Sequence, residues 1–281
     1  MKKNNKIVLL FILPAMIVTF SLVVYPIIYN AILSCYKTIF NPTMNNVFVG
    51  AENYKNLLSS PDFLSIASRT FLWAIINMIG SIVLGFMISL LLIRIEFARA
   101  IIMTILFIPW VIPEVAGAMV WKNLLHPVFG PLGVGKGIGL LGDLKIAFFV
   151  VSLVNIWRYQ CFAMITIFAG LKTTFSRREL YEASSIDGAN SLQQLIYITI
   201  PLLKKTIFTV GIIIFTWSLT QFTFPQLMTG GGPLGTTELL SIYIYNLSGA
   251  WHLGLAATVS LIIFIITSIL VIIYVVTLTN K

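Results

Sequence analysis

The chain has 281 residues, 58% of them hydrophobic and only 10% charged, with a mean hydropathy of +0.98. Soluble domains carry about 25% charged residues, so an ordinary water-soluble fold is excluded. The formal net charge of +9 does not indicate nucleic-acid binding, because Lys and Arg sit in short gaps between apolar runs, where they set membrane orientation.

Taken in chain order, the apolar runs predict six transmembrane helices over residues 7–33, 70–93, 100–121, 146–170, 207–224 and 255–278. Crossing a hydrocarbon core takes roughly 20 helical residues, and backbone amides in lipid must be bonded internally, which favours helices. No run alternates as an outer-membrane strand does. Lys2, Lys3 and Lys6 ahead of the first run resemble the start of a signal peptide. The run nevertheless continues past Pro14 and Pro26 without a small-residue cleavage site, which predicts an uncleaved anchor. With the N-terminus inside, Lys2, Lys3, Lys6, Arg94, Arg99, Lys172, Arg177, Arg178, Lys204, Lys205 and Lys281 lie inside. They outnumber Lys37, Lys55, Arg69, Lys122, Lys136 and Lys145 outside. This bias predicts cytoplasmic termini and a cytoplasmic loop over 172–205. The fold class expected is therefore an all-α membrane protein, one domain of six spans plus that loop.

The loop is the polar exception in the chain. Ser176-Arg177-Arg178-Glu179 and Ser191-Leu192-Gln193-Gln194 each have the form of a capping box. Gly188 between them suits a turn with positive φ. Leu192, Leu195, Ile196 and Thr199 recur at helical spacing. Two short helices joined at Gly188 are predicted, lying across the inner face.

Inside the membrane, Arg158 is the most expensive residue, since a central Arg costs about 2.5–3.5 kcal/mol on insertion scales. Glu114 in the preceding span lies within reach of a pair with it. Pairing and exposure to a water-filled cavity are both open roles for Arg158. Ser81, Gly85 and Ser89 put small residues on one helix face, for packing within the chain or against a second subunit. Gly130, Gly135 and Lys136 mimic a phosphate-binding loop. Gly137 follows where Ser or Thr is needed and no strand precedes, so no ATP site is expected here. Cys35 and Cys161 lack metal spacing, and a bridge between them is a minor alternative. His126 and His252 sit in outer loops without acidic neighbours, which argues against an enzyme.

The loop also carries a resemblance. Glu182, Ala183, Gly188, Ile198 and Pro201 stand at the spacing of the EAA motif of ABC importer permeases, with Ser184 and Ile200 as substitutions. The chain is similar to the sugar-importer branch that includes the maltose and glycerol-phosphate permeases. The supporting segments are Ile108-Pro109-Trp110-Val111-Ile112-Pro113, Trp121-Lys122, the run from Leu180 to Ala189, and the external turn from Thr229 to Pro233. The resemblance implies a permease subunit in the bacterial inner membrane, importing a sugar by alternating access. ATP and Mg would be held by a separate dimeric ATPase, and no cofactor by this chain. The ATPase would be contacted through Glu182, Ala183, Ser184, Asp187, Gly188, Ile198 and Pro201. A second, different permease subunit and an extracytoplasmic sugar-binding protein complete the implied assembly. By alignment with the family, Trp157, Arg158, Tyr159, Phe162, Ser218 and Gln221 line the sugar path. A competing class, an ion-coupled secondary transporter or channel, would need intramembrane acids for the coupling ion. Glu114 is the sole candidate.

Overall fold

The computed structural model describes residues 2–37, 47–132, 139–176 and 178–279. Lys136, Arg177 and Lys281, and with Lys136 the rest of the phosphate-loop mimic after Gly130, lie outside the described residues. The chain divides into two compact units, Met1–Leu64 with Tyr243–Ile266, and Ser65–Ile242 with Thr267–Lys281.

In the first unit, α1 (Lys2–Thr19) passes through a wide turn at Phe20–Val24 into α2 (Tyr25–Leu33). Pro26 has no N–H to give, and the residue before it, Tyr25, bonds five residues back to the Phe20 carbonyl. The helices present Leu10, Phe11, Phe20 and Leu22 outward, a surface suited to lipid. A two-residue antiparallel pair, β1 (Tyr36–Lys37) and β2 (Val47–Phe48), follows, registered Tyr36 to Phe48. It is the one departure from an all-helical chain among the described residues. The short α3 (Glu52–Leu58) is tied back by Asn53, whose amide donates to the carbonyls of Ser34 (2.8 Å) and Tyr36 (3.0 Å). The long α13 (Leu253–Thr279) joins this unit through Thr258, which donates to the Ser34 carbonyl at 3.2 Å, and through the Ala257 carbonyl, which accepts from Asn30 at 3.3 Å.

In the second unit, α7 (Ala147–Phe175) is the central element, with most of its length buried. It packs on α4 (Pro61–Arg94), where the small-residue stripe meets it. A Cβ at Gly85 would lie 2.6 Å from that of Ala163, and Ser89 donates to the Met164 carbonyl at 2.8 Å. The stripe thus serves close helix approach within the chain. On its other flank α7 meets α10 (Ile200–Leu219) through a core of Ala163, Ile167, Leu171, Leu203, Val210 and Ile214. The end of α13 reaches α10 by a Tyr274–Thr209 hydroxyl bond of 3.1 Å. Both cysteines are free.

Two predicted spans differ from the helices observed. The run 100–121 is not one helix. It is α5 (Arg99–Val111) and α6 (Glu114–Leu124), bent by 92° at Ile112-Pro113. Proline drives its predecessor out of the helical region, and Ile112 accordingly sits at φ −61, ψ 128. The run 207–224 is met by α10, which begins at Ile200 and ends at Leu219, with α11 (Thr223–Thr229) after a break. Gln221 therefore lies in the break and not on a span. The remaining elements are α8 (Arg178–Ile186), α9 (Ser191–Gln194) and α12 (Leu240–Gly249).

Candidate functional site

Two places in the second unit gather the predicted residues. The first is built around the break in α5/α6. Breaking the helix frees the Ile112 carbonyl, and a free carbonyl in lipid costs several kcal/mol. Arg158, from α7, donates to it through Nη1 at 2.9 Å. Its Nη2 lies 3.5 Å from Glu114 Oε1, with side-chain exposures of 14% for Arg158 and 33% for Glu114. Its guanidinium stands 5.4 Å from the Trp110 ring centroid, a cation–π distance. Glu114 is the first residue of α6, where a carboxylate is favoured by the helix dipole.

Around this group, four aromatic rings from three helices form one cluster. Trp110 of α5 lies 5.8 Å from Phe162 and 6.3 Å from Tyr159 of α7, and 5.3 Å from Trp217 of α10. Trp217 in turn lies 4.9 Å from Phe162 and 5.7 Å from Tyr159. The Tyr159 hydroxyl donates to Gln221 Oε1 at 3.1 Å. Three polar atoms here are buried without a partner: Arg158 Nε, Ser218 Oγ and Gln221 Nε2. Buried polar atoms are normally bonded, and these three have no partner within the described residues.

Of the predicted lining residues, Arg158, Tyr159 and Phe162 join this cluster directly, and Gln221 joins it by its bond to Tyr159. Ser218 is buried next to Trp217 in α10. Trp157 sits apart, edge-on to Trp121 at 5.4 Å. Trp110 and Trp217 were not among the predicted lining residues. Trp110 stood in the sequence within a proline-bracketed segment, and Trp217 beside Ser218, four residues before Gln221.

The second place is the loop. Helix α8 ends in a Schellman motif: Ala189 N–H bonds Ser184 O (2.9 Å) and Gly188 N–H bonds Ser185 O (3.1 Å), with Gly188 at φ +83. A Cβ at Gly188 would meet nothing within 4 Å, so the demand for glycine comes from the backbone. The second capping box lies one residue earlier than the sequence suggested. Asn190 is the N-cap, accepting from Gln193 N–H at 2.9 Å while Gln193 Oε1 accepts from Asn190 N–H at 2.8 Å. Ser191 is the first helical residue. The Ser176 hydroxyl donates to Lys172 O at the end of α7, and its proposed box includes Arg177, outside the described residues.

Gln194 is freed by this register to bind α8. Its Nε2 reaches Ser185 Oγ (2.9 Å), Ser184 Oγ (3.0 Å) and Tyr181 O (3.3 Å). Tyr181 also bonds Thr199 Oγ1 at 3.0 Å and stacks on Phe175 at 5.0 Å. A cavity of about 390 Å³ behind the loop is lined by Leu90, Ile93, Arg94 and Phe175 on one side and Tyr181 and Gln194 on the other. Directed bonds, more than packing, therefore hold the loop. Glu182, Ala183, Asp187 and Gly188 are exposed, Ser184 is half-buried, and Ile186 is 86% exposed. The predicted apolar stripe divides: Thr199 is buried and Leu195 half-buried, while Leu192 and Ile196 are exposed. Past α9, Leu195–Thr199 forms a second wide turn, with Ile200 N–H bonding Leu195 O just before Pro201. Ile198 is half-buried and Pro201 exposed.

Residues 81–280 match the family model described as binding-protein-dependent transport system inner membrane component. Among similar proteins is the trehalose/maltose transport system permease MalF of Thermococcus litoralis, 27% identical, with 97% of this chain and 93% of that protein covered. The sulfoquinovosyl glycerol transport system permease SmoG of Agrobacterium fabrum is 28% identical, covering 96% of this chain and 90% of that one. In fold, the chain is similar to a chain in the crystal structure of a bacterial ABC transporter that imports the acidic polysaccharide alginate. The TM-score is 0.78 at 20% identity, over 97% of this chain and 94% of that one.

Proposed function

Since the chain belongs to the family of binding-protein-dependent transport system inner membrane components, we propose that the aromatic cluster at the α5/α6 break is where its cargo, a sugar, crosses the bilayer. As a multi-pass permease subunit of an ABC importer in the inner membrane, the chain is not an enzyme, and ATP is hydrolysed by a separate subunit. Membership of that family decides for the ABC permease and against its competitor, the ion-coupled transporter.

The observation that carries the sugar reading is the pairing of ring faces with unspent polar atoms. Trp110, Tyr159, Phe162 and Trp217 offer apolar faces to the C–H side of a sugar ring. Ser218 Oγ and Gln221 Nε2, buried and unpartnered, supply an acceptor-donor and a donor for its hydroxyls. The trehalose/maltose cargo of one relative's name supports the same class. Trp157, which packs against Trp121 apart from the cluster, stays in the proposed lining only by the family alignment. The chain itself needs no cofactor for this role, and its termini are assigned to the cytoplasm by the distribution of Lys and Arg.

Work reaches the site through the loop. Glu182, Ala183, Ser184, Asp187, Gly188, Ile198 and Pro201 form the proposed contact with a cytoplasmic ATPase dimer. The helices α8 and α9, locked together by Gln194, move as one piece and carry that motion into α7 and α10, which hold the cluster between them. A second, non-identical permease completes the path, and an extracytoplasmic binding protein delivers the sugar.

The test is sugar binding and uptake by the purified complex. Trp110→Ala and Gln221→Ala are each expected to weaken sugar binding about tenfold, in line with losing a ring contact or a buried hydrogen bond. Unchanged uptake and affinity in both would remove the cluster from the path. The roles of Arg158 separate by charge reversal. If Glu114→Arg with Arg158→Glu restores the assembly lost in each single variant, the pair's first task is to hold the broken span.

A further inference from the structure

Permeases similar to this chain are named for cargoes of both kinds, neutral trehalose and maltose in one case and a sulfonated sugar glycoside in another. Kinship alone therefore leaves the charge of the cargo open. The cluster is specific on this point. We propose that Glu114 is a selectivity residue that fits the translocation site to uncharged sugars and turns away carboxylated, sulfonated or phosphorylated ones. This rests on reading the cluster as the sugar site.

A lone guanidinium in a low-dielectric site would be a strong anion trap. Here its charge is already countered. Glu114 Oε1 stands 3.5 Å from Nη2, the Ile112 carbonyl takes one hydrogen of Nη1 at 2.9 Å, and the Trp110 ring is 5.4 Å from the guanidinium carbon. The remaining N–H groups, the buried and unbonded Nε among them, can still donate to a hydroxyl, but without a net positive charge to hold an anion. The other uncommitted polar atoms, Ser218 Oγ and Gln221 Nε2, are neutral. They suit hydroxyls and bring no charge to offset the desolvation of an anion. An entering carboxylate would have to displace Glu114 from Arg158 or lie beside it as a like charge. Glu114 is kept close by its place in the backbone, as the first residue of α6 directly after Pro113 at the break. The kink that exposes the Ile112 carbonyl also fixes the counter-ion, so the two needs of Arg158 are met at one point of the backbone.

The experiment is titration of the purified full importer complex, without binding protein, with a neutral disaccharide (maltose or trehalose) and with an alginate disaccharide of matched size. Quenching of the intrinsic tryptophan fluorescence reports binding. Wild type is expected to bind the neutral sugar at least about tenfold more tightly than the acidic one. Glu114→Gln, which keeps the shape and releases the charge on Arg158, is expected to shift that ratio toward the acidic sugar by about tenfold or more. Glu114→Asp should keep the wild-type order. Equal affinities in wild type, or an unaltered ratio in Glu114→Gln, would overturn the proposal while leaving the sugar site standing. Absence of binding by either sugar in wild type would overturn the sugar site and the proposal together. Should Glu114→Gln fail to assemble, equal affinities of wild type for the two sugars would still overturn the proposal.

Discussion

The loop between α7 and α10 and the aromatic cluster both carry polar groups in an apolar chain, and they treat them in opposite ways. In the loop, side-chain polar groups are spent on one another. Gln194 holds Tyr181, Ser184 and Ser185, Asn190 and Gln193 satisfy each other, and Tyr181 holds Thr199. In the cluster, Ser218, Gln221 and Arg158 each keep an atom in reserve. On the roles proposed for them, a region that transmits force benefits from having its internal bonds made, and one that receives a changing ligand benefits from leaving some unmade. The loop also leaves two of its large apolar residues outward, Ile186 at 86% and Tyr197 at 74% exposure.

This contrast can be broken from either end. The largest effect is expected from Glu182→Lys on the exposed face of α8: the purified complex should lose its ATPase and uptake should fall below about a tenth of wild type, since reversing a charge at an interface costs several kcal/mol. Retained ATPase with normal uptake would remove Glu182 from the contact. Next comes Gly188→Val. With no neighbour within 4 Å of its Cβ, any loss must come from forcing a β-branched residue to φ +83, about 1–2 kcal/mol or more. The expected reading is several-fold less transport per ATP hydrolysed, with the spans still folded. Gln194→Ala removes the amide that bridges α9 to Tyr181, Ser184 and Ser185 of α8 and should lower the same coupling ratio by a few-fold, with substrate affinity unmoved. A change in affinity instead would show that loop and cluster are not divided as described. The smallest effect belongs to Asn190→Ala, the loss of one helix cap, about 1 kcal/mol. It should appear as faster hydrogen exchange in α9 with transport nearly intact.

Much of this was legible in the sequence, for reasons that differ by region. The membrane helices follow from uninterrupted apolar length, and the loop from a motif whose glycine and acid stand at fixed spacing. Arg158 and Glu114 were visible as an intramembrane acid and base in adjacent runs. The break at Ile112-Pro113 was not read, because membrane helices tolerate proline when a neighbour meets the freed carbonyl. The composition of one run does not tell whether a neighbour does so with or without a bend. The cap was misplaced by one residue because Asn190 and Ser191 are both good caps, and Gln193 and Gln194 both stand ready as partners. What decides between them is Gln194's engagement with α8, a contact the local sequence does not encode. Trp110 and Trp217 are hidden in the sequence for a similar reason: aromatic residues at helical spacing read as core until three helices bring four rings together.

The carbonyl of Ile112 has a further consequence, for biogenesis. When the third apolar run leaves the ribosome, the donor its kink requires has not yet been made, for Arg158 lies 46 residues further along the chain. The run enters the bilayer as an unfinished object and is completed by the arrival of α7. Truncated chains that end before Arg158 should therefore hold this segment loosely, and those that extend past Phe175, so that α7 is complete, should hold it firmly. Protease protection of the two truncated chains after release from the ribosome would display that step, and equal protection would show that the kink is stabilised by other means.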